Sequence, residues 1–188
     1  MTDFNAISAI LKEQREAKPK PKIEDYIPRY LDNNMKNIAL DFAAFLQDNK
    51  MRLSWAGMAN AWKANCKSKC ICYVRLCLGY ASDRKVAKWV ITLYLDHMNL
   101  YQKAIINEKM QNTIWDNIKH CIKCFPEKYP EGRPCFPGKN MMILEKEIKG
   151  ICQSGSPFWF WDPDEKTIKC IKRLLELEQK ARIGDIKK

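Results

Sequence analysis

Apolar residues recur at helical spacing in four segments of the chain. Within residues 34–48 an apolar side chain returns every three or four positions, as in an amphipathic helix packed on a core. Asp162-Pro163-Asp164-Glu165 has the composition of a helix start, with a capping acid, a proline in the first turn and further acids near the positive helix end. The pattern predicts helices at 3–17, 34–48, 107–121 and about 165–182.

Strand patterns lie in the middle of the chain and after residue 140. Residues 70–77 alternate, which predicts that Cys70 and Cys72 share one sheet face with Val74 and Leu76. Residues 86–95 are rich in β-branched and aromatic types and complete a hairpin with them. A strand pair or bent strand is predicted at 141–152 and a strand at 157–161, whereas 53–62 fits either a strand or an irregular turn.

Helices and antiparallel hairpins are segregated along the chain, which favours an α+β fold. We predict an antiparallel sheet, built from a central hairpin at about 70–95 and strands at about 141–161, packed with amphipathic helices. The basic, proline-rich segment 18–22 divides the chain into an N-terminal helix with linker (1–22) and a single domain (23–188). That first helix is either a contact element for a partner or a mobile tail.

Composition then narrows the class of protein. The 188 residues are 46% hydrophobic and 29% charged, which excludes collagen-like, mucin-like and membrane-spanning chains. The N-terminal residues lack a signal-peptide pattern, and apolar patches fall short of the roughly 20 residues of a transmembrane helix. These features predict a soluble cytoplasmic protein without membrane contact. In that reducing compartment the nine cysteines are not expected to form a disulfide framework.

Four cysteines in the C-terminal third have metal-ligand spacing. Cys121 and Cys124 form a C-x-x-C pair, and Cys135 and Cys152 follow at longer intervals. A C-x-x-C pair places two sulfurs on one tetrahedral ion when the backbone turns, and two further ligands come from elsewhere. We predict a structural Zn²⁺ site within 121–152 that closes a loop rich in proline and glycine. His120 as a replacement ligand, a redox dithiol and an Fe–S cluster are the alternatives.

The C-terminal third also carries short motifs in a fixed order, namely Cys121-x-x-Cys124, Cys135-Phe136-Pro137-Gly138, Lys146-Glu147-Ile148, Cys152 and Phe160-x-x-Pro163-Asp164. Over about 121–178 they resemble a recurrent bacterial family of uncharacterised proteins, in which C-x-P-G and G-K-E-F precede a cysteine and an F-x-x-P-D helix start. Glu145 stands where that family has glycine. The resemblance implies no activity.

The remaining cysteines permit two interpretations. Cys66, Cys70 and Cys72 lie among three lysines, so they are either small apolar side chains in a core or thiols activated for catalysis. Cys170 lies beside the apolar stripe of the last helix and is predicted to be core. His97 and His120 are the two histidines of the chain, and neither belongs to a recognisable catalytic motif.

The net charge of +11 is concentrated in one region. Residues 66–104 hold seven basic and two acidic residues, a balance of +5. The predicted surface contains Lys67, Lys69, Arg75, Arg84, Lys85 and Lys88, interleaved with Tyr73, Tyr80 and Trp89. Exposed, these would contact phosphates and stack on bases; otherwise the lysines are solvated and the aromatics are core.

Three functions follow in order of preference. The first is a zinc-stabilised, non-catalytic binding or interaction module. The second is a nucleic-acid-binding accessory protein that uses the basic hairpin at 67–89, and the third is a thiol-dependent enzyme. Nucleic acid and an acidic protein surface are the two partner classes that the charge favours.

Overall fold

The computed structural model describes residues 4–78, 87–119, 139–151 and 156–184. Its elements in chain order are α1 (Phe4–Glu16), α2 (Ile23–Tyr30), α3 (Asn33–Asp48), β1 (Arg52–Trp55), β2 (Ala61–Cys66), β3 (Lys69–Leu78), β4 (Ala87–Leu93), α4 (Met98–Asn107), α5 (Gln111–Trp115), β5 (Lys139–Ile143), β6 (Lys146–Ile151), β7 (Phe158–Trp161) and α6 (Glu165–Ile183). None of these helices has the length and apolar character needed to cross a bilayer.

Five strands form the main sheet in the order β1-β2-β3-β4-β7, and every neighbouring pair is antiparallel. The predicted α+β class and the central hairpin are therefore confirmed. The segment 53–62, which the pattern left open, supplies β1 and the beginning of β2. We predicted that the strands over 141–161 would all join the main sheet. This is wrong for β5 and β6, which pair with each other in a separate two-stranded sheet.

The helices and the inner side of the sheet share one hydrophobic core. This core joins residues of α3 and α6 to strand residues, including Phe42, Leu46, Trp62, Ile91, Phe160, Ile171 and Leu174. Each of these side chains is at most 1% exposed, and burying one such side chain contributes about 1.5–3 kcal/mol. The β5–β6 hairpin joins the same core through Ile143, Ile148 and Ile151.

Within the described residues, the helix predicted over 107–121 is confirmed only as the short helix α5. Lys109 has a φ of 55°, in the left-handed region that a helix cannot accommodate. The chain accordingly leaves α4, forms the single turn of α5, and ends this segment with a β-bridge between Ile118 and Phe158. Ile118 therefore pairs with β7 at the edge of the sheet instead of continuing a helix.

The start of α6 is confirmed, but its cap is Asp164. The Oδ1 atom of Asp164 accepts a hydrogen bond from the Thr167 amide at 2.8 Å. The Asp162 carboxylate instead accepts from the amides of Lys88 and Trp89, at 2.8 and 3.0 Å. Asp162 thus joins the end of β7 to β4, and Asp164 satisfies the first turn of the helix.

The last turns of α1 are docked on the domain. Gln14 is fully buried; its amide nitrogen donates to Asn60 Oδ1 and its Oε1 accepts from the Asn60 amide, both at 2.9 Å. In the linker, the Pro21 carbonyl accepts from the indole nitrogen of Trp62 at 2.9 Å. A mobile tail would not bury Gln14 in this way, so this helix is part of the folded unit.

Candidate nucleic-acid interface on the outer sheet face

The strand register divides the side chains of the main sheet between two faces, because residues opposite each other on antiparallel strands share a face. One face carries the core. Three rows cross the other: Ala61, Arg75, Val90 and Trp161; Ser54, Lys63, Tyr73, Thr92 and Trp159; and Arg52, Asn65 and Cys70. We call these rows, together with Tyr94 and Lys119, the outer face.

A β-bulge decides which cysteines belong to it. Cys72 pairs with Ala64 and Cys70 pairs with Asn65, so β3 contributes the extra residue Ile71 at this point. Ile71 and Cys72 are both fully buried in the core, whereas Cys70 is half-buried and lies on the outer face. The prediction that Cys70 and Cys72 share one face is therefore wrong.

Cations and aromatic rings alternate across the outer face. The Arg75 guanidinium carbon lies 5.5 Å from the ring centroid of Tyr73 and 5.1 Å from that of Trp159. Lys119 Nζ lies 3.8 Å from the Trp159 ring, and Trp161 packs against Trp159 with centroids 5.5 Å apart. These are cation–π distances, so the rings and the charges hold one another in place.

The outer face has a buried, mainly apolar layer against the sheet and a half-buried layer of aromatic and basic side chains toward solvent. Val90, Thr92 and Trp159 are buried, and Val90 and Trp159 form with Ala87 a small apolar cluster separate from the main core. Tyr73, Tyr94, Arg75, Lys63 and Trp161 are half-buried. Burial raises the pKa of Tyr73 and Tyr94, so both phenols stay neutral and can donate hydrogen bonds at physiological pH.

The charged residues of the outer face are all basic, and the carboxylate of Asp96, which acts on Cys70 and Tyr94 at its edge, is ion-paired with Arg182. None of its residues is acidic, and Arg52, Lys63, Arg75 and Lys119 contribute four cations. Among the residues that the structure describes, none of the four forms an ion pair. A polyanion could therefore approach these cations without displacing a carboxylate.

The residues predicted from the basic hairpin fall in different places. Arg75 lies on the outer face beside Tyr73, whereas Trp89 is fully buried in the core. Lys67 and Lys69 are exposed where β2 turns into β3, and Lys88 is ion-paired with Asp32 at 3.2 Å. Tyr80, Arg84 and Lys85 lie outside the described residues. The prediction that Trp89 belongs to an exposed binding surface is therefore wrong.

Sequence reasoning missed most of the surface that the fold assembles. Arg52, Lys63, Tyr94, Lys119, Trp159 and Trp161 come from β1, β2, β7 and two connections. The alternating Phe-Trp-Phe-Trp of β7 contained a signal, since period two sends both tryptophans to the face opposite the two phenylalanines. Which strand β7 would join was not visible in the pattern.

Four cysteines, Cys66, Cys70, Cys72 and Cys170, do not have the properties of activated thiols. Burial raises the pKa of Cys66 and Cys70, and more strongly that of Cys72, which is fully buried. Burial also raises the pKa of Cys170 to about 11, and this side chain is core as predicted. These thiols are protonated at neutral pH, whereas the thiolate is the nucleophile.

His97 belongs to a buried ionic cluster. Its Nδ1 atom lies 2.9 Å from the carboxylate of Glu178, which also accepts from Arg182 at 2.8 Å and from the Tyr101 hydroxyl at 2.7 Å. Arg182 in turn donates to the carbonyls of Cys70 and Tyr94, both at 2.9 Å. The cluster therefore anchors α6 to the ends of β3 and β4, beside the outer face.

The predicted zinc ligands Cys121, Cys124, Cys135 and Cys152, and the alternative ligand His120, lie outside the described residues. Within the described ranges no group of three or more potential ligands is suitably placed to hold a metal ion. The zinc site therefore stays a prediction from spacing.

Comparison of the chain with protein-family models, with curated proteins and with solved structures found no match. The geometry of the outer face is therefore the principal guide to function.

Proposed function

We propose that this protein is a non-catalytic binding module that contacts nucleic acid with the outer face of its sheet. The observation that carries the proposal is the Arg75 guanidinium between Tyr73 and Trp159, on a face without an acidic residue. Phosphates require cations, and bases or sugars require rings and hydrogen-bond donors. The outer face supplies all three kinds of group.

This proposal moves the binding surface away from the turn at 67–69 and Lys88. Lys63 and Arg75 become its centre because they lie in adjacent rows, whereas Lys88 already has a carboxylate partner. The thiol-dependent enzyme has less support, since burial raises the pKa of Cys66, Cys70 and Cys72. An acidic protein surface would satisfy the cations but leave the rings without a role.

Charge reversal tests the surface. We expect a fluorescent 20-nucleotide RNA to bind the unmodified protein, and Lys63→Glu or Arg75→Glu to weaken binding by about fivefold or more at low salt. Lys103→Glu is the matched control, since Lys103 is exposed on α4, a helix that packs on α6. Absence of binding, an equal loss with Lys103→Glu, or equally strong competition by polyglutamate would overturn the proposal.

We further propose that Cys121, Cys124, Cys135 and Cys152 hold one structural Zn²⁺ ion that stabilises the module. Support comes from the ligand type, the C-x-x-C spacing and the loop composition between the pairs. Metal analysis of the purified protein should give about one zinc per chain, and Cys121→Ser should abolish it. Cys170→Ser should retain the metal, because Cys170 is a core residue of α6. A folded protein without zinc would refute this part.

A further inference from the structure

We infer that the nucleic acid is single-stranded and that its unpaired bases stack on Trp161 and Tyr73. This inference rests on the proposed function and adds the class of ligand. It follows from the width of the outer face, from the rings that remain accessible on it and from the way its cations are held.

The width of the sheet disfavours reading of a duplex. Five strands lie side by side, and at about 4.8 Å per strand the sheet is about 19 Å across. The major groove of B-DNA is about 12 Å wide and admits a helix or a two-stranded ribbon. A five-stranded sheet therefore does not enter the major groove of an undistorted B-form duplex, and the deep, narrow major groove of A-form RNA is closed to side chains as well, so the aromatic rings would lack base partners there.

Two rings at separate points of the face are available for stacking. The Trp159 ring is 9% exposed and is covered by Lys119 and Arg75. Trp161 and Tyr73 are both half-buried and keep part of their surface accessible, although Arg75 and Tyr94 also contact the Tyr73 ring. They lie in adjacent rows and on strands that flank β4, so an extended strand of nucleic acid can cross from one ring to the other.

The cations between these rings are already ordered. Arg75 lies against Tyr73 and Trp159, and Lys119 lies over Trp159. The guanidinium beside these rings is a planar group on which a base can stack, and its nitrogens can also reach phosphate. Little side-chain entropy is then lost on binding, and the flexible backbone of a single strand can follow the rows.

A comparison of single-stranded with duplex RNA tests the inference. We expect fluorescence anisotropy to show that a 12-nucleotide oligouridine binds at least about tenfold more tightly than a 12-base-pair RNA duplex at the same salt concentration. Trp161→Leu and Tyr73→Leu should each weaken binding of the single strand by about tenfold, whereas Trp161→Phe and Tyr73→Phe should retain most of it. Tyr30→Leu, at a half-buried ring on α2, is the matched control.

A spectroscopic measurement covers the case in which a leucine variant does not fold. Tryptophan fluorescence of the unmodified protein should be quenched by the single strand and not by the duplex, and Trp161→Phe should reduce the quenching. If the duplex binds as tightly, or if folded leucine variants bind normally, the inference fails and the proposed function stands. If neither nucleic acid binds, both fail.

Discussion

At the scale of single residues, the carboxylate of Glu178 is the charged group of the described structure that is most completely removed from water. It is fully buried and accepts hydrogen bonds from the Tyr101 hydroxyl, the Arg182 guanidinium and the backbone amide of His97, the last at 3.1 Å. A buried carboxylate is tolerated when donors replace its water. The side chain of Arg182 is 4% exposed and pairs with two carboxylates, the buried Glu178 at 2.8 Å and the more exposed Asp96 at 3.1 Å.

Removal of that carboxylate should be costly. We expect Glu178→Ala to lower the free energy of unfolding by about 3 kcal/mol, because the Tyr101 hydroxyl and the His97 amide lose their acceptor and Arg182 keeps only the more exposed Asp96 as a carboxylate partner. Glu176→Ala is the control: Glu176 pairs with Arg173 near the surface, and such pairs contribute about 1 kcal/mol or less. Urea denaturation measures both, and equal costs would show that burial of the cluster does not matter.

A substitution at Thr92 should instead raise the free energy of unfolding. It is 2% exposed, and within the described structure its hydroxyl has no hydrogen-bond partner. Thr92→Val keeps the β-branched shape and removes the unpaired group, so we expect a gain of about 1 kcal/mol in the free energy of unfolding. Thr113→Val, at a half-buried threonine whose side chain has Cys170 as a partner, should show no such gain. A loss at Thr92 would indicate a partner for its hydroxyl.

At the scale of elements, α6 is the helix whose beginning is most sharply defined. The hydrogen bond from Thr167 lowers the pKa of Asp164. Its ionised form therefore stabilises the fold above the ordinary carboxyl pKa of about 3.9, and this contribution is lost as the pH falls through the lowered value.

We accordingly expect Asp164→Ala to cost about 1 kcal/mol at pH 7, and the difference from the unmodified protein to shrink below about pH 4. Denaturation at a series of pH values measures this dependence. Asp48→Ala is the control, because Asp48 is exposed at the last residue of α3, where no amide needs an acidic cap. A difference that is constant between pH 7 and pH 3 would contradict capping by an ionised carboxylate.

The same scale shows what periodicity can and cannot predict. Helix α3 and the strands β3 and β4 were predictable, because one apolar face at a constant period is a local property. The bulge beside Cys70 and the positive φ of Lys109 each interrupt that period by one residue. The composition of the outer face depends on both the bulge and the pairing of β7 with β4, and neither could be predicted from a local period.

At the scale of the whole molecule, the net charge of +11 is unevenly balanced in space. Several cations away from the outer face have carboxylate partners, among them Lys172 with Asp41 at 2.6 Å and Arg173 with Glu108 at 2.7 Å. The four cations of the outer face make no such pairs within the described residues. Of the cations predicted as a surface within 66–104, Arg75 belongs to the outer face, whereas Arg52, Lys63 and Lys119 come from β1, β2 and the segment after α5.

This distribution predicts how salt affects binding of the single strand. If Arg52, Lys63, Arg75 and Lys119 each contact one phosphate, a plot of the logarithm of the association constant against the logarithm of salt concentration should have a slope of about −2.8, since each contact contributes about −0.7. Lys63→Ala should reduce the magnitude of the slope by about 0.7, and Lys103→Ala should leave it unchanged. Titrations between low and physiological salt measure the slope. An unchanged slope for Lys63→Ala would mean that no phosphate lies beside Lys63, and the path of the strand across the outer face would then be wrong.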